Sequence, residues 1–260
     1  MKQLIVTADD FGASLQINEA VERAHRDGVL TAASLMVSGP ALDDAVARAH
    51  AMPALGVGLH VALSNARPVL PRERVPDLVD ADGNFDSKLV RAGVRYFFLP
   101  RVRRQLEAEI RAQFKAYAAT GLALDHVDGH NHLHVHPTLF NMILRIGREY
   151  GLRAMRVPWE PSGIANALVI GPWAGLMRAR LRRAHVRAND ALFGLSDTGR
   201  LSEQRVLEII AVLPDGLTEL YLHPGSSYAR EEELDALLSP RVRDAIEEHG
   251  IQLVRYGTAS

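Results

Sequence analysis

Hydrophobic positions along this chain follow two periods, and the two alternate. Leu4-Ile5-Val6-Thr7-Ala8 is a strand-like run that ends at Asp9-Asp10-Phe11-Gly12. Ser14 then stands where a helix cap belongs. Ile17, Ala20, Val21 and Ala24 fall on one helical face, and Gly28 marks the stop. The same reading predicts strands at Thr31–Val37, Val57–Val61, Leu122–His130, Arg153–Val157, Leu217–His223 and Gln252–Tyr256. It predicts helices at Pro40–Met52, Arg101–Thr120, Pro137–Tyr150, Ser202–Leu213 and Arg230–His249, the last broken near Pro240. Two stretches rich in Pro, Asp, Gly or Arg, 64–100 and 161–200, read as irregular insertions.

About seven strands with intervening helices predict a parallel sheet with right-handed crossovers. The expected fold class is therefore α/β, a distorted (β/α) barrel, with an open doubly wound sheet as the alternative. Residues 1–260 read as one domain, and no repeat interrupts it. No glycine-rich dinucleotide or phosphate loop follows the first strand, because Asp9-Asp10 puts carboxylates where a phosphate needs amides.

Composition narrows the chemistry. A net charge of -1 gives no field for nucleic acid, and the absence of cysteine excludes thiolate chemistry and Cys-type zinc sites. Any metal must be held by His and carboxylates. The N-terminus enters a strand without a signal-peptide pattern, and no run has the roughly 18 apolar residues of a membrane span, so a cytoplasmic location is expected.

The densest chemistry lies in Asp125-His126-Val127-Asp128-Gly129-His130-Asn131-His132-Leu133-His134-Val135-His136. In an extended segment every even position shares a face, so His126, Asp128, His130, His132 and His134 would form one polar row. A solvated His-rich loop is the plain alternative. Other polar residues fall at predicted strand ends, where α/β folds carry their chemistry: Asp9 and Asp10, His60, Asp128 and His130, His223, with Arg156 on the fifth strand. Singly these are a capped turn, half-buried histidines and an ion-pair partner; jointly they predict a site. One Asp and two His from three strands suit a divalent ion with open positions. A spare Asp can accept a proton from water and His223 can protonate a leaving amine, which together suit metal-assisted amide hydrolysis. Neighbouring carboxylates on a regular strand point oppositely, so the turn at Phe11-Gly12 must twist both towards the cavity.

The stretches Thr7-Ala8-Asp9-Asp10-Phe11-Gly12, Gly58-Leu59-His60, Asp128-Gly129-His130-Asn131-His132-Leu133-His134 and His223-Pro224 resemble the YdjC-like carbohydrate deacetylases over nearly the whole chain. Val90–Pro100 and Phe193–Gly199 resemble that family's hopanoid-biosynthesis branch. The resemblance implies a NodB/YdjC-like barrel, metal ligands Asp10, His60 and His130, a general base Asp9 and a general acid His223. Asp128, His132, His134 and Arg156 would then support the ligands or the substrate. It implies removal of acetate from an N-acetylglucosaminyl hopanoid. Two imidazoles favour zinc, while the single carboxylate also admits magnesium, manganese or nickel.

Two apolar stretches with basic flanks fit a lipid substrate. Gly163–Met177 is uncharged and precedes Arg178, Arg180, Arg182 and Arg183; Tyr96-Phe97-Phe98-Leu99 precedes Arg101, Arg103 and Arg104. The expectation is a greasy lid at the active-site rim, including Phe97, Phe98, Trp173 and Leu176, that also touches the cytoplasmic membrane leaflet. A homodimer interface is the competing use. A soluble chito-oligosaccharide is the competing substrate, disfavoured by an apolar rim; a non-catalytic lipid- or metal-binding protein is the other class.

Overall fold

The computed structural model describes residues 1–86, 89–161, 170–227 and 231–259, with backbone alone at 89–92. In chain order the elements are β1 (Lys2–Phe11), α1 (Leu15–Arg26), β2 (Ala32–Leu35), α2 (Leu42–His50), β3 (Gly56–Val61), α3 (Leu89–Phe98), α4 (Pro100–Ala119) and β4 (Val127–Gly129). Then follow α5 (Pro137–Glu149), α6 (Gly171–Arg183), β5 (Ala191–Phe193), α7 (Glu203–Ala211), β6 (Gly216–Leu222), α8 (Glu232–Leu238), α9 (Pro240–Glu248) and β7 (Gln252–Leu253). Short 3-10 turns stand at Arg72–Arg74 and His130–Val135.

Every strand pair is parallel, in the order β4-β3-β2-β1-β6-β5, with β7 added on β1. The sheet curls, and backbone bridges Val127↔Met155 and Ala154↔Arg187 span the gap between its ends. The fold is thus an α/β barrel distorted on one side. The predicted fifth strand at Arg153–Val157 is reduced to those bridges. The fifth ladder strand lies instead at Ala191–Phe193, inside a stretch read as irregular. Helices α3 and α6 also occupy stretches read as irregular, and the helix expected from Arg230 begins outside the described residues.

The main core lies between the sheet and its helices, where Val6, Leu35, Leu59, Phe114, Phe140, Ile143 and Leu220 pack. A smaller cluster fills the barrel itself at the N-terminal ends of the strands: Ile5, Ala32, Ala154 and Leu217, closed by Val254, Tyr256 and Ala259 from the C-terminal segment. Because strand side chains alternate faces, the next inward positions are Thr7, Ser34, Arg156 and Glu219, and above them Asp9 and Tyr221. The barrel interior therefore changes from apolar at its floor to charged beneath the site.

Helix caps fix where the chain leaves each strand. The Ser14 hydroxyl accepts the Ile17 N–H at 3.2 Å and starts α1. Asn18, fully buried on α1, accepts the Gly12 N–H at 2.8 Å and donates to Ala41 and Asp44. One amide thereby ties the end of β1 to α1 and α2.

Candidate active site

The end of β1 departs from regular strand geometry. Its register with β2 shifts between Ala8 and Phe11, Asp10 has φ 63° and Gly12 has φ 92°. A left-handed residue is costly for most side chains and tolerated best by Asp, Asn and Gly. The irregularity turns Asp9 and Asp10 into one cavity, as the sequence demanded of two adjacent carboxylates. The cavity, about 850 Å³, is also lined by His60, His130, His132, Tyr221 and His223.

Three of these residues converge. Asp10 Oδ1 lies 2.9 Å from His130 Nδ1 and 3.4 Å from His60 Nε2, and the two ring nitrogens are 3.3 Å apart. Electron-rich atoms facing one another at this distance repel unless a proton or a cation stands among them. Bonds of ~2.1 Å about one ion would give edges of ~3.0 Å in an octahedron and ~3.4 Å in a tetrahedron. The residues therefore fit a divalent metal, with Asp10, His60 and His130 as the set that would hold it.

Behind His60 stands a connected set of buried polar groups. His60 Nδ1 donates to Asp128 Oδ1 at 2.8 Å, which leaves Nε2 to face the site. Asp128 Oδ2 accepts from Ser34 at 2.9 Å and pairs with Arg156 at 2.7 Å. Arg156, fully buried, also grips Asp9 bidentately at 2.7 and 2.8 Å and Glu219 at 2.9 and 3.1 Å. Glu219 is in turn held by Thr7 and Tyr256, each at 2.7 Å. Asp9, His60 and Asp128 form a second grouping that could hold a metal. The guanidinium already sits against both its carboxylates, so a further cation there would meet like charge.

Electrostatics follow from this arrangement. Burial opposes ionisation of Asp10, but hydrogen bonds from His130 and His60 outweigh it and hold the carboxyl well below the usual range. Burial likewise opposes a charged His60, yet the fields of Asp128 and Asp9 raise its pKa well above an ordinary imidazole. Asp128 is kept ionised against burial by Arg156 and His60.

The histidine tract does not form the extended row expected of it. β4 ends at Gly129, and His130–Val135 winds as a 3-10 turn with Asn131 at φ 53° and His132 at φ 52°. Asn131 fastens the turn by donating to Ser64 at 2.9 Å. Only His130 of the turn enters the metal-type cluster. His132 packs edge-on against Tyr221, with ring centroids 5.0 Å apart. His134 lies against the Arg156 carbonyl at 3.1 Å, and His136 caps α5. Burial holds His132 well below the ordinary value, and His134 down to about 4. His126 lies beneath the site and joins Ser34 to Asp125 at 3.1 and 3.2 Å.

His223 follows β6, lines the cavity, and has its backbone N–H held by Glu233 at 2.6 Å. Ser34, Glu219, Glu233 and Asn18 escaped the sequence reading. Glu219 had a usable signal, the one charged residue inside a buried strand, two positions from Leu217 and Tyr221. Ser34 and Glu233 had none.

The apolar residues expected as a lid do not line this cavity among the described residues. Phe97 and Trp173 instead line a separate one of about 590 Å³ over the N-terminal end of α5. The reason is local packing. Trp173 donates to the Val135 carbonyl at 2.9 Å and meets Phe140, while Phe97 meets His136. Arg178, expected in a surface basic cluster, folds inward to the carbonyls of Asn189 and Asp190 at 3.0 and 2.6 Å. Ile164, Leu168 and Val169 lie outside the described residues.

Comparison with known proteins agrees with this geometry. The family model described as YdjC-like protein matches residues 3–248. A carbohydrate deacetylase of Brevibacillus brevis is 33% identical over 98% of this chain and 98% of its own length. One from Mus musculus is 33% identical over 96% and 93%. A crystal structure of an Enterococcus faecalis protein, provisionally assigned to cellobiose-phosphate cleavage, superposes with a TM-score of 0.80 at 28% identity, covering 100% of this chain and 99% of that one. With the fold, the strand-end cluster and the family match in agreement over nearly its full length, the chain belongs to the YdjC-like protein family.

Proposed function

We propose that this protein is a metal-dependent carbohydrate deacetylase that removes acetate from an N-acetylated amino sugar. The observation that carries this reading is the convergence of Asp10, His60 and His130 at 2.9–3.4 Å in a cavity that also receives Asp9 and His223. Relatives described as carbohydrate deacetylases match the chain over nearly its full length and support it. A divalent ion held there supplies Lewis acidity for amide hydrolysis, and zinc suits two imidazoles and a carboxylate best, ahead of magnesium, manganese or nickel.

The residues have separable tasks. Asp9, oriented by Arg156, accepts the proton of the attacking water. His223 returns a proton to the nitrogen as the C–N bond breaks, so that amide and water leave as acetate and amine. Asp128 fixes the tautomer and direction of His60. Ser14, Gln16, Asn65, Asn131 and Thr198 on the cavity wall supply hydrogen-bonding partners for sugar hydroxyls.

Those polar groups favour a short soluble N-acetylated saccharide such as a chito-oligosaccharide, and the aromatic rim residues that argued against it do not line the cavity among the described residues. The N-acetylglucosaminyl hopanoid is the second reading. It is favoured by Phe97 and Phe98, which are 50% and 69% exposed.

Acetate release from N-acetylated chitobiose and from N-acetylglucosaminyl hopanoid tests both, before and after chelation and zinc addition. Zinc-restored release from chitobiose supports the main reading, and release from the lipid alone selects the second. No release from either by metal-loaded protein defeats the deacetylase assignment. Asp9→Asn is expected to lower kcat at least a hundredfold, the usual scale for loss of a general base, while leaving metal content unchanged.

A further inference from the structure

We propose that the face formed by α3, the start of α4 and α6 docks on an anionic phospholipid bilayer. Phe97, Phe98, Leu99 and Leu176 are 50%, 69%, 45% and 42% exposed, and all lie on these helices or the joint between α3 and α4. The Phe97 and Phe98 rings sit edge to face, 5.0 Å apart. On α6, Trp173, Leu176 and Arg180 recur at helical spacing, so they share one stripe. Such side chains enter the headgroup boundary without crossing it, and no helix among the described residues is long and apolar enough to cross a membrane.

Charge identifies the occupant. The cavity of about 590 Å³ bounded by Phe97 and Trp173 is also walled by Arg103, Arg104, Arg145 and Arg180, against a single carboxylate, Glu107. Glu107 pairs with Arg145 at 2.9 Å, and Arg180 donates to Asn141 at 3.1 Å. Arg103 and Arg104 form no ion pair or side-chain hydrogen bond among the described residues. A second copy of this chain would bring like charge onto the same patch. An anionic lipid surface supplies phosphates for the guanidinium groups and hydrocarbon for the rings at one depth. This docking stands apart from the catalytic reading, and it would deliver the enzyme to a lipid-borne sugar if that is the substrate.

Co-sedimentation with vesicles of phosphatidylglycerol and phosphatidylcholine, against phosphatidylcholine alone, tests the proposal without any substrate. The expected result is pelleting with the anionic vesicles only, reversed by salt. A double variant Arg103→Gln/Arg104→Gln should lower the partition coefficient about 30-fold, two surface charges' worth. Phe97→Ser/Phe98→Ser should lower it too, with acetate release from a soluble saccharide unchanged in both variants. Equal binding to neutral vesicles, no pelleting, or full pelleting by the arginine variant overturns the proposal. So does a wild-type dimer that Phe97→Ser/Phe98→Ser dissociates without loss of vesicle binding. Thermal stabilisation by inorganic phosphate without vesicle binding also overturns it, and assigns the arginines to a soluble anion.

Discussion

Arg156 answers three buried carboxylates at once, those of Asp9, Asp128 and Glu219. Removing one member of such a network leaves unpaired charge in low dielectric, at a cost of roughly 3–5 kcal/mol. Arg156→Met should therefore lower the unfolding free energy read from urea denaturation by that amount and abolish activity; a wild-type free energy would show that the carboxylates find other partners. His134 makes a pH prediction. Burial holds its imidazole at about 4, against 6.5 for an ordinary one. Between those values only the unfolded chain takes the proton, so stability falls as pH drops from 6.5 to 4 and changes no further from this group below that. His134→Gln should flatten the pH dependence of Tm in that window, and an unchanged slope would assign it to other groups. At this scale the residue types at the strand ends were legible, since Asp9, Asp10, His60, His130 and His223 each interrupt or end an apolar run. Of the residues behind them Asp128 and Arg156 were legible too, but Ser34 and Glu233 were not, because they look ordinary until distant segments are brought beside them.

Among the elements, β3 and β4 show how closely the barrel packs beneath the site. Gly58 faces the His126 ring, and a Cβ there would lie 2.5 Å from it. Gly58→Ala must displace a side chain that braces Ser34, and overpacking of this kind costs typically 1–3 kcal/mol. The expected outcome is a lower Tm with reduced kcat; a neutral substitution would mean that the floor of the site yields. The long amphipathic helices α1, α4 and α5 were readable because a full apolar stripe repeats within each. Helix α3 was not, because aromatic and β-branched residues and Gly93 weaken its helical signal and Tyr96 gains its place by tertiary burial. β5 has three residues, too few to show a period. The histidine tract misled for a related reason: alternation implies one face only while the backbone is extended, and Asn131 and His132 leave it for the left-handed region.

Across the whole molecule, the barrel interior grades from Ile5, Ala32, Ala154 and Leu217 at the floor to the charged network and then to the open cluster. The fold's polar network is satisfied by Arg156, Thr7 and Tyr256 without a metal, so chelation should abolish acetate release and leave far-UV circular dichroism intact. Zinc should raise Tm in proportion to the logarithm of its concentration above Kd, as any ligand of the native state does. Loss of secondary structure on chelation would make the metal structural instead. The parallel α/β class, its metal-type chemistry and the strand ends that carry it were present in the chain as local periods and residue types, because a strand's alternation and a helix's stripe are properties of neighbouring residues. The choice of His130 alone from its tract, the pairing of Asp9 with Arg156, and the placement of the apolar helices away from the cavity came only with folding. Each depends on contacts between residues far apart in sequence, set by the curl of the sheet and the irregular end of β1.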